Sequence, residues 1–271
     1  MQFLPSLLAL TALAVGSTSA ATIAHTNTNV TTVNDAEGAL SARAPVTLCD
    51  QYAYHKEGGY EFNNNIWNRD AATSGWQCTH YYAPSASGVS WFAEWEWWGA
   101  EQAVKSYPYA NRVFNRRLVS QIGSLPTKAI WNYDNTNIRA NVAYDIFTHS
   151  NINAGSSHGE YELMIWLGNY GGAWPISESP TGTPLETVTI AGYRFHLHRG
   201  WNRDMRVYSF VTAQGAITTF EADVMHFFRH LTSRYGFPAH TQNMLIYQFG
   251  TEPFYGSKTR FTVSHFEANV Y

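Results

Sequence analysis

The sequence predicts an all-β protein: a two-sheet β-sandwich of the jelly-roll kind, with one packed α-helix and an open concave cleft. Three observations predict it. From Cys49 onward, short alternating segments are separated by Gly, Asn, Ser and Pro. Aromatic residues make up 15% of the 271 residues, with ten Trp and seventeen Tyr, and rings pack well on a pleated surface. One segment alone, Glu221 to Arg234, breaks the rhythm with helical spacing. Many strands and one helix imply packed sheets, and a curved sheet can offer a groove.

Taken in order, residues 1–20 are expected to be a signal peptide. Leu7 to Val15 are apolar, and Thr18-Ser19-Ala20 supplies small residues before a cut. The apolar run is too short to span a bilayer, so a secreted, extracellular, soluble monomer is expected. Residues 21–45 are rich in Ala, Thr and Asn without periodicity and are expected to be a flexible leader or propeptide. The sequon Asn29-Val30-Thr31 falls there. Residues 46–271 are the expected folded domain. Cys49 and Cys78 are the two cysteines, expected to pair in an oxidising compartment and tie an N-terminal hairpin.

Strands are expected over 90–98, 141–148, 160–167, 187–197, 205–212, 243–249 and 260–270. In the helical segment, Val224, Phe227, Phe228 and Leu231 fall at i, i+3, i+4 and i+7, and Gly236 and Pro238 stop it.

Composition narrows the function. Seventeen Lys and Arg against twenty Asp and Glu give a net charge of -3. That balance disfavours nucleic-acid or anionic-membrane partners, which need a basic surplus. Charged residues are only 14%. Flat apolar rings with little charge suit sugars, whose C–H faces stack on indoles.

Two carboxylates then stand out. In Tyr161 to Leu167, alternation turns Leu163, Ile165 and Leu167 to one side and Glu162, Met164 and Trp166 to the other. A carboxylate beside a thioether and an indole resembles a groove wall more than a solvated face. In Gln248 to Phe254, alternation groups Gln248, Gly250 and Glu252, and Pro253 is expected to fix the exit of the strand. Glycosidic cleavage needs such a pair, one acid for the leaving oxygen and one carboxylate for the anomeric carbon or water. A third acid, Asp145, shares a strand face with Asn141, Ala143 and Phe147. Placed beside the nucleophile, it can share a proton with it. His196-Leu197-His198 puts two imidazoles on one face, but a third ligand is not evident, and two cysteines are too few for a zinc site. No metal or cofactor is expected.

These motifs resemble glycoside hydrolase family 12, the fungal and bacterial endoglucanases and xyloglucan hydrolases. The likeness runs from Cys49 to Tyr271. It is carried by Glu160 to Leu167 and Phe249 to Phe254, with support from Cys49-Asp50-Gln51, Asn64 to Trp67, Val104 to Pro108 and Asn141 to Asp145. The resemblance implies a concanavalin-like jelly roll with a long cleft. It implies Glu162 as nucleophile, Glu252 as acid/base and Asp145 beside the nucleophile. It also implies that Asn65, Trp67, Asn141 and Met164 line the cleft, with Trp67 stacking a glucosyl ring. Tyr52 stands where many members have a stacking Trp. The implied partner is a plant cell-wall β-glucan, xyloglucan or cellulose.

After the nucleophile strand, Tyr170 to Ser177 departs from the cellulase-like text and is closer to the xyloglucan-hydrolysing branch. Trp174 and Pro175 are candidate contacts there, Trp174 either stacking on a branch or capping its loop. Xyloglucan is therefore the favoured substrate, ahead of unbranched or mixed-linkage β-glucan. A non-catalytic carbohydrate-binding jelly roll is the rival of another class, separated by the carboxylate pair it does not need. Trp98 is expected either to extend a sugar platform or to fill a gap between the sheets, with packing favoured.

Overall fold

A computed structural model of the chain describes residues 44–84 and 87–271. The expected signal segment 1–20 and nearly all of the leader 21–45 lie outside the described residues. The described residues build β1 (Val46–Leu48), β2 (Tyr54–Glu57), β3 (Tyr60–Asn63), β4 (Ser74–Pro84), β5 (Val89–Trp98), β6 (Tyr109–Arg112), β7 (Pro126–Tyr133) and β8 (Arg139–His149). There follow β9 (Tyr161–Tyr170), β10 (Glu186–Ile190), β11 (Tyr193–Asn202), β12 (Met205–Thr212), β13 (Thr219–Asp223), helix α1 (Met225–Tyr235), β14 (Asn243–Met244) and β15 (Gln248–Ala268).

Two sheets result. The first runs β1-β4-β5-β15-β7-β13. The second runs β2-β3-β6-β15-β8-β9-β12-β11-β10, with β14 on β8. Among the described strands, only β9 and β12 pair in parallel. Strand β15 belongs to both sheets. Its first part pairs with β6 and β8, and its second part with β5 and β7. The change of sheet falls around Gly256, whose φ of 153° and approach to Ile138 leave no room for a Cβ.

The core lies between the sheets. It takes Trp91, Trp95 and Trp97 from β5, Val142, Tyr144 and Ile146 from β8, Leu163, Ile165 and Leu167 from β9, and Phe249 and Phe261 from β15. Each such side chain contributes about 1.5–3 kcal/mol by leaving water. The alternation read in Tyr161 to Leu167 is thus the real division between core and outer face. On that outer face of the second sheet, Ala143, Met164, Trp166, Ala173, Val211 and Phe254 form a separate, smaller cluster.

Several boundaries differ from expectation. Residues 187–197 are two strands, because Ala191 and Gly192 turn with φ of 51° and 86° and pair Ile190 with Tyr193. Pro253 does not end its strand. It lies opposite Ala140, where no N–H is required of it, and β15 continues to Ala268. The helix begins at Met225 rather than Glu221. Residues Thr219–Asp223 pair with β7, and Asp223 Oδ1 accepts the N–H of Met225 at 2.9 Å. Its end at Gly236, with φ of 69°, is where the sequence put it. Phe227 packs on Phe195 and Phe210, holding the helix under β11 and β12. Trp98 is partly exposed, edge-on to Tyr255, and does not plug the gap between the sheets.

Cys49 and Cys78 are bonded. They join the end of β1 to β4, directly paired strands, so the bridge closes a 29-residue span that contains the whole β2–β3 hairpin. Replacing both cysteines with Ser should lower stability by about 2–4 kcal/mol, read from urea unfolding midpoints. An unchanged midpoint would show that the strand pairing alone fixes this end.

Candidate active site

The outer face of the second sheet gathers the acids. Asp145 on β8 lies opposite Met164 on β9 and opposite Gln248 on β15. Glu162 starts the outer row of β9, and Glu252 ends the outer row of β15 opposite Asn141. Their neighbours of opposite parity, Tyr144, Leu163 and Phe249, are sealed in the core, so the acids cannot turn inward.

Electrostatics show that the three carboxyls share one environment. Burial pushes Glu162 up to about 8, and the charge of Glu252 adds to the rise. Burial pushes Glu252 up to about 7. Asp145 is raised well above its ordinary value, first by burial and then by the charges of Glu162 and Glu252. The buried Tyr107 hydroxyl is raised too, mainly by burial, and it senses all three acids. Three neighbouring buried carboxyls cannot all ionise. Burial and the two neighbouring charges favour the protonated form of Asp145. As a donor to Glu162 it pulls that carboxyl back down and favours a charge there. Glu162 Oε2 and Asp145 Oδ1 are each buried with no N–H or hydroxyl donor from another residue, so a proton shared between the two carboxyls is the partner left to them.

Glu252 is held differently. The Asn141 side-chain amide donates to Glu252 Oε2, and Asn141 Oδ1 accepts the Glu252 backbone N–H at 2.9 Å. Asn141 is itself fixed from the core. Trp95 Nε1 donates to the Tyr133 hydroxyl at 3.2 Å, Tyr133 to Thr251 Oγ1 at 2.6 Å, and Thr251 to the Asn141 carbonyl. On the other side of Glu252, Lys105 is completely buried. Its ammonium donates to the carbonyls of Ala100, Ala103 and Phe254 at 2.9, 2.8 and 2.7 Å, and its backbone N–H donates to Pro253. Three protons meet three carbonyl oxygens, which fixes the chain just after the acid.

The other expected residues fall in two groups. Met164 is buried beside Asp145 and lies within reach of the Trp166 indole N–H at 3.4 Å. Asn65, with φ of 40°, donates to the carbonyl of Tyr107, whose hydroxyl donates to Ala143 on the outer face. Tyr52 and Trp67 are 57% and 49% exposed, and the backbone bond from Ile66 to Gln51 sets their loops side by side. Trp174 is 56% exposed with its ring over Gly182, so it caps its loop while leaving much of its surface open. Pro175 is buried. His196 bonds Thr187 Oγ1 at 2.8 Å, while His198 faces Ser209 across β11 and β12. Tyr107, Lys105 and Gln248 carry no role in the sequence reading. Of these, Gln248 had a usable signal, since it shares the strand face of Glu252.

The raised carboxyls have a cost that depends on pH. A carboxyl whose folded pKa lies above its unfolded value holds its proton in the native state after the unfolded chain has released it. Its favourable contribution is complete below the unfolded value of 4.5 and is lost as pH rises through about 8 for Glu162. Glu162→Gln should therefore melt above the wild type at pH 8 and level with it at pH 4. Equal differences at both pH values, by differential scanning fluorimetry, would contradict the shift.

Known proteins resemble this chain over most of its length. The model for glycosyl hydrolase family 12 matches residues 58–271. The xyloglucan-specific endo-beta-1,4-glucanase A of Emericella nidulans is 40% identical over 235 residues, 85% of this chain and 95% of that protein. The catalytic domain of Humicola grisea Cel12A, solved with a soaked thio cellotetraose, matches with a TM-score of 0.80 and 45% identity, covering 83% of this chain and 99% of that one. The inactive glycoside hydrolase XLP1 of Phytophthora nicotianae is 44% identical over 225 residues, 82% of this chain and 91% of that protein. Likeness to an inactive protein puts the weight on the side chains rather than on the fold. By the extent of the family match and the identity shared with its enzymes, this chain belongs to glycosyl hydrolase family 12 and is an endo-β-1,4-glucanase.

Proposed function

We propose that the protein is a secreted, retaining enzyme that cuts β-1,4-glucan backbones internally and prefers xyloglucan. The observation that carries the retaining reading is the electrostatically joined trio of Glu162, Asp145 and Glu252 on one sheet face. The outer face of the second sheet is the glucan cleft in this reading, and the exposed Tyr52 and Trp67 lie at its flank.

Glu162 attacks the anomeric carbon in its ionised form, the form that the hydrogen bond from Asp145 favours against burial. As that bond forms, the bond to the leaving oxygen breaks, and Glu252 gives its proton to that oxygen. Its raised pKa keeps the proton available near neutral pH. The glycosyl ester then removes the charge on Glu162. With that charge gone, Glu252 can take a proton from water, which attacks the anomeric carbon and releases Glu162. Asp145 supports Glu162 in both steps, giving its hydrogen bond to the carboxylate when it is charged. Asn141 keeps Glu252 aimed throughout.

A preference for xyloglucan draws support from the family relative of that specificity in Emericella nidulans and from the open surface of Trp174. The thio cellotetraose seated in the Humicola relative favours the second reading, an enzyme of unbranched glucan.

Glu162→Gln and Glu252→Gln should each lose at least about a thousandfold in kcat on polysaccharide while remaining folded. Turnover near the wild-type value in either purified variant rejects the assignment. On a panel of xyloglucan, carboxymethyl cellulose, mixed-linkage glucan and xylan, the highest rate is expected on xyloglucan, with long fragments early. Proton NMR of the first product should show the β-anomer; an α-anomer would mean inversion.

A further inference from the structure

Trp201 is 55% exposed, yet it lies on the face of the second sheet opposite to Glu162. The register shows this. Gly200 pairs with Val207, and Val207 with Glu162, so these three share the outer face. Trp201 pairs with Arg206, and Arg206 with Tyr161, one position along and therefore on the other face. Leu197 and Phe210, of the same parity, enter the core. Beyond the end of that core the inner face continues as a groove of about 450 Å³, where Trp201 meets Tyr161, Tyr208, Arg199, Arg206 and, from the end of the helix, Tyr235.

The lining decides what the groove can take. Arg199 and Arg206 both spend their charge on Glu178, at 2.7 and 2.8 Å. Asp204 is paired with His158 at 2.8 Å, and Glu160 is bonded to Ser150 and Gln242. With every charge partnered, neither an anion nor a cation is selected. The rim of hydroxyls, guanidinium N–H groups and carboxylate oxygens is too polar for a greasy ligand. What fits is a neutral molecule with many hydroxyls and an apolar ring face. Trp201 is ready for such a face. The Arg206 guanidinium sits 4.1 Å from its ring centroid on one side and is itself anchored by Glu178. The indole is therefore held in place with its other side open, and little side-chain entropy remains to be lost on binding.

We propose that this groove is a second carbohydrate site, separate from the catalytic face, which holds a stretch of β-1,4-glucan chain by stacking on Trp201. The proposal rests on the glucanase reading above for the identity of the sugar. Its role is to keep a long polysaccharide attached while the catalytic face releases and finds new linkages. A short oligosaccharide, unable to span both places, gains nothing from it.

The test uses the full chain, Trp201→Ala and Trp201→Tyr. On soluble xyloglucan at low concentration, Trp201→Ala should raise KM about three- to tenfold with kcat unchanged, the range one aromatic contact supports. In native gels containing xyloglucan, a Glu162→Gln background should be retarded less when Trp201→Ala is added. Trp201→Tyr should restore most of both effects. Hydrolysis of an aryl cellotrioside should not change. If polymer KM and gel retardation are the same with and without the indole, the site does not exist. If activity on the aryl cellotrioside falls equally, the substitution acts through the sheet and the proposal is also overturned. Wild-type protein that cleaves no β-glucan and is not retarded by any defeats the glucanase reading along with it. Normal cleavage with a silent Trp201→Ala defeats this inference alone.

Discussion

Strand β15 hydrogen-bonds into both sheets, and the position of the acid/base candidate depends on that double membership. Between Gln248 and Pro253 the strand is zipped to β6 and β8, and from Gly256 onward to β5 and β7. Both ends are consequently anchored in ladders that cannot slide without turning Phe249 and Phe261 out of the core. Glu252 sits a few residues before the crossover, where backbone pairing gives way. Asn141 and Lys105 supply the fixing that the ladder cannot. One grips Glu252 itself, and the other grips the two carbonyls that follow it. The chain of donors from Trp95 through Tyr133 and Thr251 carries rigidity from the packed aromatics out to that same point. Core packing and the aim of the proposed acid/base are thus one system here.

The same face concentrates what a protein normally avoids. Asp145 and Glu162 are each 7% exposed, and neither has a basic side chain against it. Lysine or arginine beside them would favour folding and would also pull down Glu252, whose raised proton affinity the proposed acid step uses. The surrounding sandwich offsets the penalty through its apolar burial. Large buried rings on β5, β8 and β15 suit that task, because each removes much surface from water in one side chain.

Much of this was readable in the chain, and the failures have physical causes. Residues 160–167 were legible because both parities carry distinct chemistry, leucine and isoleucine against glutamate, methionine and tryptophan. The 187–197 segment reads as one strand because a two-residue turn at Ala191 and Gly192 scarcely interrupts the alternation. The sequence pattern cuts strand β15 short because Pro253 looks like a stop. In the fold the proline occupies a position that needs no donor, and Gly256 allows a change of sheet. The sequence pattern starts the helix too early because Val224 continues the apolar spacing while its predecessors pair with β7. Among site residues, the acids showed themselves through strand parity. Lys105 did not, since a lone lysine between Val104 and Ser106 looks like any surface charge. Its burial arises from carbonyls contributed by segments far away in sequence, and those only the fold brings to it.

The sealed ammonium of Lys105 also bears on how the protein can be handled. The chain has four lysines, and Lys56, Lys128 and Lys258 are the solvent-accessible ones. Lys128 and Lys258 lie on strands where these pair in the first sheet, away from the carboxyl trio. Lys56 lies on β2, at the margin of the second sheet, in register with Glu61, Asn111, Gln248 and Asp145 and therefore on the face of the acids. Amine-directed reagents, whether dyes, cross-linkers or activated resins, will find those three side chains and leave the brace behind Glu252 unmodified. Attachment through Lys128 or Lys258 is consequently the gentler way to immobilise this enzyme, because a tether at Lys56 would stand on the face that carries the acids.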